Sequence, residues 1–374
     1  MPAFDNPPDP LKRPPADELE AHVALARSPR VGSVTFRRLV SAYGGVARAL
    51  EALPEHAARG GLRNYRPVDM ARVREEISRA ADIGATPLLL GDDNYPKCLM
   101  DLTDAPMFLW CQGDLTLFDR PAVGLVGARN ASALGLRMAT ELAQDLGSEG
   151  HVTVSGLARG IDTAVHEASL TSGTIAVLAG GLDVIYPAAN AGLAARIATG
   201  GLLLSEAPPG LQPIARHFPK RNRIIAGLSS AVVLVEAAER SGSLITARMA
   251  LEQGRDVLAV PGHPLDARAA GCNRLIREGA GLIRSAEDIR DALALPVQRV
   301  DGFHEETGAW DQGPMPDSAR QLVAGLLSTA PVAEDSLIRV LGLPTQSVLS
   351  ALMDMELAGQ IVRHPGGMVA RAVA

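Results

Sequence analysis

At 374 residues the chain is too long for one ordinary domain and predicts two or three. A composition of 47% hydrophobic and 21% charged residues is that of a soluble globular protein, and no run approaches the roughly 20 apolar residues of a membrane span. The formal net charge of −6, aromatics at only 3% and three widely spaced cysteines (Cys98, Cys111, Cys272) argue against an aromatic stacking platform of the OB type, a zinc site and a disulfide framework.

Cysteines without paired spacing place the chain in a reducing compartment, the cytoplasm. Residues 1–15 are rich in proline and polar side chains, lack an apolar signal core and read as a disordered tail. From 16 to 84 the pattern is helical. Leu19, Val23 and Leu25 begin an amphipathic repeat that breaks at Ser28-Pro-Arg-Val-Gly-Ser33; Phe36, Leu39 and Val40 resume it until Gly44-Gly45. This predicts a small helical (SAM/helix-hairpin-helix-like) domain. The Pro-Arg-Val-Gly turn resembles the hairpin of helix-hairpin-helix modules, whose amides can hold a phosphate; the plainer reading is an interhelical turn in a helical cap. Residues 85–121 read as an irregular connector, with a strand at Leu88–Leu90, a turn at Asp92-Asp-Asn-Tyr-Pro96 and a short run at Met107–Trp110.

From Ala122 short apolar runs alternate with helical stretches: Val123–Val126, Val152–Ser155, Ile175–Leu178, Leu202–Ser205, Val232–Val235 and Val257–Val260. This is the pattern of an α/β, Rossmann-like, doubly wound and mostly parallel sheet, assigned to residues 122–290. Residues 291–316 form an acidic linker with Asp301, Glu305, Glu306 and Asp311. The tail, 317–374, carries helices at Leu322–Leu327 and Leu337–Leu341, a third from Pro344 through Val348 to Leu357, and a hairpin across Pro365-Gly-Gly: a C-terminal winged-helix domain. Its third helix holds Asp354 and Glu356 and no cation, which points to protein contact or regulation rather than groove reading.

Ligands of doubly wound sheets lie beyond the carboxyl ends of the strands. There the chain places Gly127-Ala-Arg-Asn-Ala-Ser132, Ser155-Gly-Leu-Ala-Arg-Gly-Ile-Asp162, Gly180-Gly181 and Ser241-Gly-Ser-Leu-Ile-Thr246, most of them entering helices whose free amides bind anions. Arg129 and Arg159 add full charges. Gly124, Gly127 and Gly135 do not have the G-x-G-x-x-G spacing, and no P-loop signature is present, which argues against dinucleotide and P-loop chemistry. Asp162 and His166, four apart, suggest an acid–base pair or half a metal site; a helix cap and a local hydrogen bond explain them more simply. Glu206 and Glu236 end strands, where a carboxylate satisfies loop amides. No nucleophile has a matching base, so no catalytic residue, metal or cofactor is assigned.

Arg216 to Arg223, reading Arg-His-Phe-Pro-Lys-Arg-Asn-Arg, packs four cations without an acid into an acidic chain, between the strand ending at Glu206 and a helix near Ile224–Leu228. A charge run is ordinarily a solvated loop. Interleaved Phe218 and Asn222 supply a stacking surface and base-edge hydrogen bonding, and the other cationic loops converge on the same sheet edge. A row of phosphate sites suits a polyanionic strand better than one mononucleotide.

These loops resemble the DNA-processing protein A (DprA/Smf) family. The resemblance is carried by Val126-Gly-Ala-Arg129, Ser155–Asp162 with His166, Gly181-Leu-Asp-Val-Ile-Tyr-Pro187, Ser205-Glu206, Phe218-Pro-Lys-Arg-Asn-Arg-Ile-Ile225, Glu236, Ser241–Thr246 and Val260-Pro-Gly262, over about residues 120–285. It implies a non-enzymatic protein that binds single-stranded DNA, protects incoming strands in natural transformation (competence), loads RecA recombinase, and forms a homodimer through the late part of the Rossmann-like domain. The implied DNA contacts are Gly127, Arg129, Ser155, Gly156, Arg159, Gly160, Arg216, Phe218, Lys220, Arg221, Asn222 and Arg223, with Ser243 and Thr246. Where relatives carry a lysine before the His-Phe-Pro element this chain has Ala215, leaving Arg216 or Lys220 to supply the charge. Two alternatives remain at this point: a Rossmann-like nucleotide-cleaving enzyme of phosphoribohydrolase type, using Glu236 and Ser241–Thr246, and an adaptor acting through the winged tail.

Overall fold

Four short helices open the described chain: α1 (Ala16–Arg27), α2 (Ser33–Tyr43), α3 (Val46–Arg59) and α4 (Met70–Asp82). Each break has a local cause. Ser28 turns its hydroxyl back onto the Ala24 carbonyl (2.8 Å), Gly44 ends α2 in the left-handed region at φ 71°, and the Asp69 carboxylate caps α4 by accepting from Ala71 N (3.0 Å). The computed structural model describes residues 16–294 apart from Gly61 and Arg63, and, in the tail, 317–327, 332–341, 348, 351, 352, 355, 360–364 and 368–372. The expected N-terminal tail, the linker beyond residue 294, Pro344, Asp354, Glu356 and Pro365-Gly-Gly lie outside the described residues.

The strands follow in order: β1 (Thr86–Leu89), β2 (Phe108–Gly113), β3 (Ala122–Val126), β4 (Val152–Ser155), β5 (Thr174–Leu178), β6 (Leu202–Ser205), β7 (Ala231–Leu234), β8 (Asp256–Ala259) and β9 (Gly281–Leu282). The helices between them are α5 (Lys97–Met100), α6 (Ala133–Ser148), α7 (Ile161–Ser169), α8 (Ala191–Gly200), α9 (His217–Leu228), α10 (Ser243–Glu252) and α11 (Ala270–Arg277), with α12 (Ala286–Ala294) after β9. The strands form one nine-stranded sheet of order β1-β2-β6-β5-β4-β3-β7-β8-β9. From β3 to β6 the chain steps outward in one direction, then returns to lay β7 on the other side of β3. The strand order therefore reverses between β3 and β7, which opens a crevice at their carboxyl ends. Strands β3 to β7 are buried along their whole length, as a sheet covered on both faces requires.

The 85–121 stretch, expected as a connector, instead supplies β1 and β2, and β2 pairs antiparallel with β6 to extend the sheet. Alternation was weak there because Phe108 to Cys111 are all buried, each face being covered. The helical domain packs on this edge. Arg27 donates to Glu76 (2.8 Å) and to the Glu206 carbonyl (3.0 Å) and lies 4.7 Å over the Phe108 ring, while Trp110 Nε1 donates to the same Glu76 (2.9 Å). The described residues from 16 to 294 belong to one compact unit.

The second unit, described by itself, holds α13 (Asp317–Leu326), β10 (Val332–Ala333), α14 (Glu334–Leu341) and an antiparallel hairpin of β11 (Ile361–His364) and β12 (Met368–Arg371), with β10 on the other side of β12. Val323, Leu337, Val348, Leu352, Ile361 and Val369 form its core, the winged-helix arrangement.

Candidate nucleic-acid interface

The crevice between β3 and β7 is shaped by close backbone approach. A Cβ on Gly127 would stand 2.6 Å from Ile161 Cγ1, so the first loop passes directly over the start of α7. Ser132 caps α6: its hydroxyl accepts from Gly135 N (3.0 Å) and donates to Glu236 Oε1 (2.5 Å), while its amide donates to Glu236 Oε2 (2.9 Å). Glu236 is thereby held by a turn. Above these loops lies an open groove of about 720 Å3, lined in part by Gly127, Arg129, Phe218, Asn222, Ser243 and Thr246.

The second loop is built around Arg221. Asp162 accepts from Gly156 N (3.1 Å) and Ala158 N (3.2 Å), and Leu157 and Gly160 take φ of 57° and 78°. Arg221, 6% exposed, runs beneath: its Nη1 donates to the carbonyls of Gly156 and Val177 (both 2.5 Å) and its Nε to Asn222 Oδ1 (3.1 Å). A Cβ at 156 would lie 2.2 Å from Arg221 Nη1, so a side chain there would displace the guanidinium. Burial draws the Arg221 guanidinium down to about 10, with Asp162 opposing and Arg129 assisting; it is still protonated at neutral pH. Burial pushes Asp162 up, opposed by Arg221 and the two loop amides. Burial, then the Arg221 charge, holds His166 down to about 3, so the imidazole is neutral, and its Nδ1 is 2.7 Å from Thr174 Oγ1. Asp162 and His166 are thus held within the fold, on loop amides and a threonine hydroxyl.

The cationic run is not a loop. Helix α9 begins at His217, so Phe218 to Arg223 occupy its first two turns, and helical geometry divides them between faces. Phe218, Asn222 and Ile225 line the large groove; His217, Lys220 and Ile224 line a second groove of about 370 Å3 beside the α1–α2 turn, and Arg221 borders both. The short apolar stretch at Ile224–Leu228 concealed the start of the helix because His217 to Arg223 bear few apolar side chains.

Among the expected contacts, the groove gathers Gly127, Arg129, Phe218, Arg221, Asn222, Ser243 and Thr246. Arg129 is exposed, makes no ion pair among the described residues, and lies 5.2 Å over the Phe218 ring. Ser155 and Gly156 are buried below, with the Ser155 hydroxyl donating to Leu125 O (2.7 Å). Thr246 is 2% exposed, and the hydroxyls of Ser243 and Ser241 pair at 2.7 Å. Arg159 and Arg216 are exposed but line neither groove, and Gly160 supports the first loop from below, its Cβ position 2.3 Å from Ala128 O. Lys220 opens on the second groove. Arg223 is fixed there by both Glu206 oxygens (2.7 and 2.6 Å) and the Asp104 carbonyl (2.6 Å). Ala215 lines the large groove, and neither Arg216 nor Lys220 is among its lining residues. Sequence reasoning missed Arg240 and Arg268 on this wall and Tyr186 beside Phe218 (ring centroids 5.9 Å apart). The Ala238-Glu-Arg-Ser241 turn after β7 was the available signal for Arg240. A third cavity, about 470 Å3 beside Tyr95, Lys97 and Arg120, holds none of the expected residues. Among the described residues no group of histidines, cysteines and carboxylates could hold a metal ion, and no helix is long and apolar enough to cross a membrane.

A reversed-order α/β sheet with a groove at its switch point lined by Gly127, Arg129 and Arg240 defines a Rossmann-like protein. The family model "DNA recombination-mediator protein A" matches residues 86–294, flanked by "DprA-like N-terminal HHH domain" over 16–79 and "DprA winged helix domain" over 311–367. The chain belongs to the DNA recombination-mediator protein A family. It is 46% identical over 230 residues to the DNA processing protein DprA of Streptococcus pneumoniae (61% of this chain, 79% of that one) and 39% identical over 283 residues to protein Smf of Escherichia coli (74% of each). The X-ray structure of the S. pneumoniae protein superposes with a TM-score of 0.59 at 37% identity, covering 73% of this chain and 95% of that one. A structure of DNA processing protein A from Helicobacter pylori, described for its single-stranded DNA binding mode, matches with a TM-score of 0.52 at 33% identity over 56% of this chain and 95% of that one.

Proposed function

We propose that the chain binds single-stranded DNA in the groove between β3 and β7 without acting on it, protects incoming strands and loads RecA recombinase during DNA uptake. The observation that carries this is Arg129: an exposed guanidinium, without an ion pair among the described residues, held over Phe218 in a groove that Gly127 and Asn222 also line. Arg129, Asn222 and the Gly127 loop take phosphate or base edges; Arg221 and Gly156 shape the floor. Binding of single strands by the H. pylori relative supports the same reading here. The winged-helix unit takes a protein or regulatory role, and the active form is a homodimer joined through the late part of the Rossmann-like domain, where the exposed β9 edge carries Leu282; light scattering at a monomer mass would overturn the dimer.

The nucleotide-cleaving alternative gains no support, since both oxygens of Glu236 accept hydrogen bonds from Ser132. Phosphate neutralisation makes strand binding strongly salt-dependent. Arg129→Ala weakens it and lowers the slope of log K against log salt by about 0.7. Fluorescence anisotropy with an oligo(dT) across a salt series measures both, and an Arg129→Ala protein with parental affinity and slope refutes the groove.

A further inference from the structure

The two grooves on either side of α9 are separate compartments, yet a hollow between them shares walls with each. It is bounded by Tyr186, Phe218, Arg221, Leu178 and Ala179; Phe218 and Arg221 also line the groove of Arg129, and Leu178, Ala179 and Arg221 the groove of Lys220. Because it shares walls with both, this hollow is the short way across for a strand whose phosphates meet Arg129 on one side and Lys220 on the other. Bases there must be covered by something, and Phe218 is poorly placed to do it. Guanidinium groups of Arg129 and Arg221 stand 5.2 and 6.0 Å from its centroid, and Tyr186 meets it edge-on.

Tyr186 differs. It is 55% exposed, whereas Phe36, Tyr95, Phe108 and Trp110 are buried, in a chain where aromatics are scarce. Its hydroxyl has no hydrogen-bond partner among the described residues, and its one ring contact there is Phe218, at an interplanar angle of 63°. The hollow behind it measures about 10 Å3, far too little for a base to slide between the two rings. A base can only lie on the outer face of Tyr186.

We propose that Tyr186 is a base-stacking platform for the single strand where it crosses from the Arg129 groove to the Lys220 groove. The proposal rests on the strand-binding reading above. Stacking is indifferent to base identity and contributes per base enough for roughly a tenfold change in affinity. Phe218 then serves mainly to brace Tyr186 and Arg129.

The test compares an oligo(dT) with an abasic strand of equal length, which keeps the phosphates and removes the bases. Tyr186→Ala is expected to bind oligo(dT) roughly tenfold more weakly and the abasic strand like the parent, while Tyr186→Phe binds both like the parent. Equal loss on both strands, or no loss on either, overturns the platform. The parent protein supplies a check free of folding artefacts: 5-iodouracil placed in the strand and irradiated should cross-link to the peptide containing Tyr186, and cross-links confined to other peptides overturn the proposal. If Arg129→Ala weakens both strands while Tyr186→Ala changes neither, the platform falls and the groove stands; if the parent binds neither strand, both fall.

Discussion

Replacing Arg221 by alanine tests whether this cation is a ligand group or a beam. Its guanidinium donates to the carbonyls of Gly156 and Val177 and faces the buried carboxylate of Asp162. Removing it strands that carboxylate in a site already desolvated enough to push its pKa up, and leaves two carbonyls without their donor. Leaving two buried carbonyls without their donor costs about 1–3 kcal/mol each, and the Asp162 carboxylate loses a nearby opposing charge besides. For a domain of this size the melting temperature should fall by roughly 10 °C. The exposed Arg129 has no such partners, and Arg129→Ala should stay within about 0.5 kcal/mol of the parent. Urea unfolding of the full chain followed by circular dichroism, beside strand binding by anisotropy, separates the two variants. Adding Asp162→Asn to Arg221→Ala should recover part of the loss, because the stranded charge is then gone. An Arg221→Ala protein that unfolds with the parent yet no longer binds DNA would refute the reasoning and make Arg221 a direct phosphate ligand.

Gly160→Ala should lower stability by about 1–3 kcal/mol, because a residue at φ 78° is strained and its Cβ would stand 2.3 Å from Ala128 O. The displaced carbonyl lies next to Arg129, so affinity for the strand should drop with it; parental melting and binding would contradict the packing. Acid should destabilise the fold below pH 6.5. Burial depresses His22 to about 4 and His166 to about 3 in the folded chain, whereas the unfolded chain takes up those protons near 6.5. The stabilisation is complete above pH 6.5 and lost progressively toward pH 4, at about 3 kcal/mol for His22 alone. Melting temperatures from pH 7.5 to 4.5 measure this, and His22→Gln, whose amide can still reach the Met107 carbonyl, should flatten the curve. A parental profile that stays level over this range would count against neutral buried histidines.

The six parallel strands from β3 to β8 were readable as short apolar runs because, covered on both faces, they need no polar alternation. Breaks at Ser28–Ser33 and Gly44-Gly45 were equally legible, being set by the residues themselves through capping hydroxyls, proline and a left-handed glycine. The family motifs carried the identity of the loops for the same local reason: tight turns admit few residues. Sequence alone determined, then, the α/β class, the glycine-rich loops at the strand ends and the candidate residues. Which of those residues share a groove was decided only by the tertiary structure. Helix α9 turns neighbours in sequence toward opposite sides, so Phe218 and Asn222 face Arg129 while Lys220 faces the α1–α2 turn. Arg221 and Arg129 look alike as residues, yet one is buried under a carbonyl-lined loop and the other lies exposed over an aromatic ring. Tyr186 lies within a family motif, but nothing in the sequence shows that it stays exposed where Phe36, Tyr95, Phe108 and Trp110 are covered. Exposure and direction are properties of the packed chain: they depend on what lies opposite in space, which the linear order of residues does not contain.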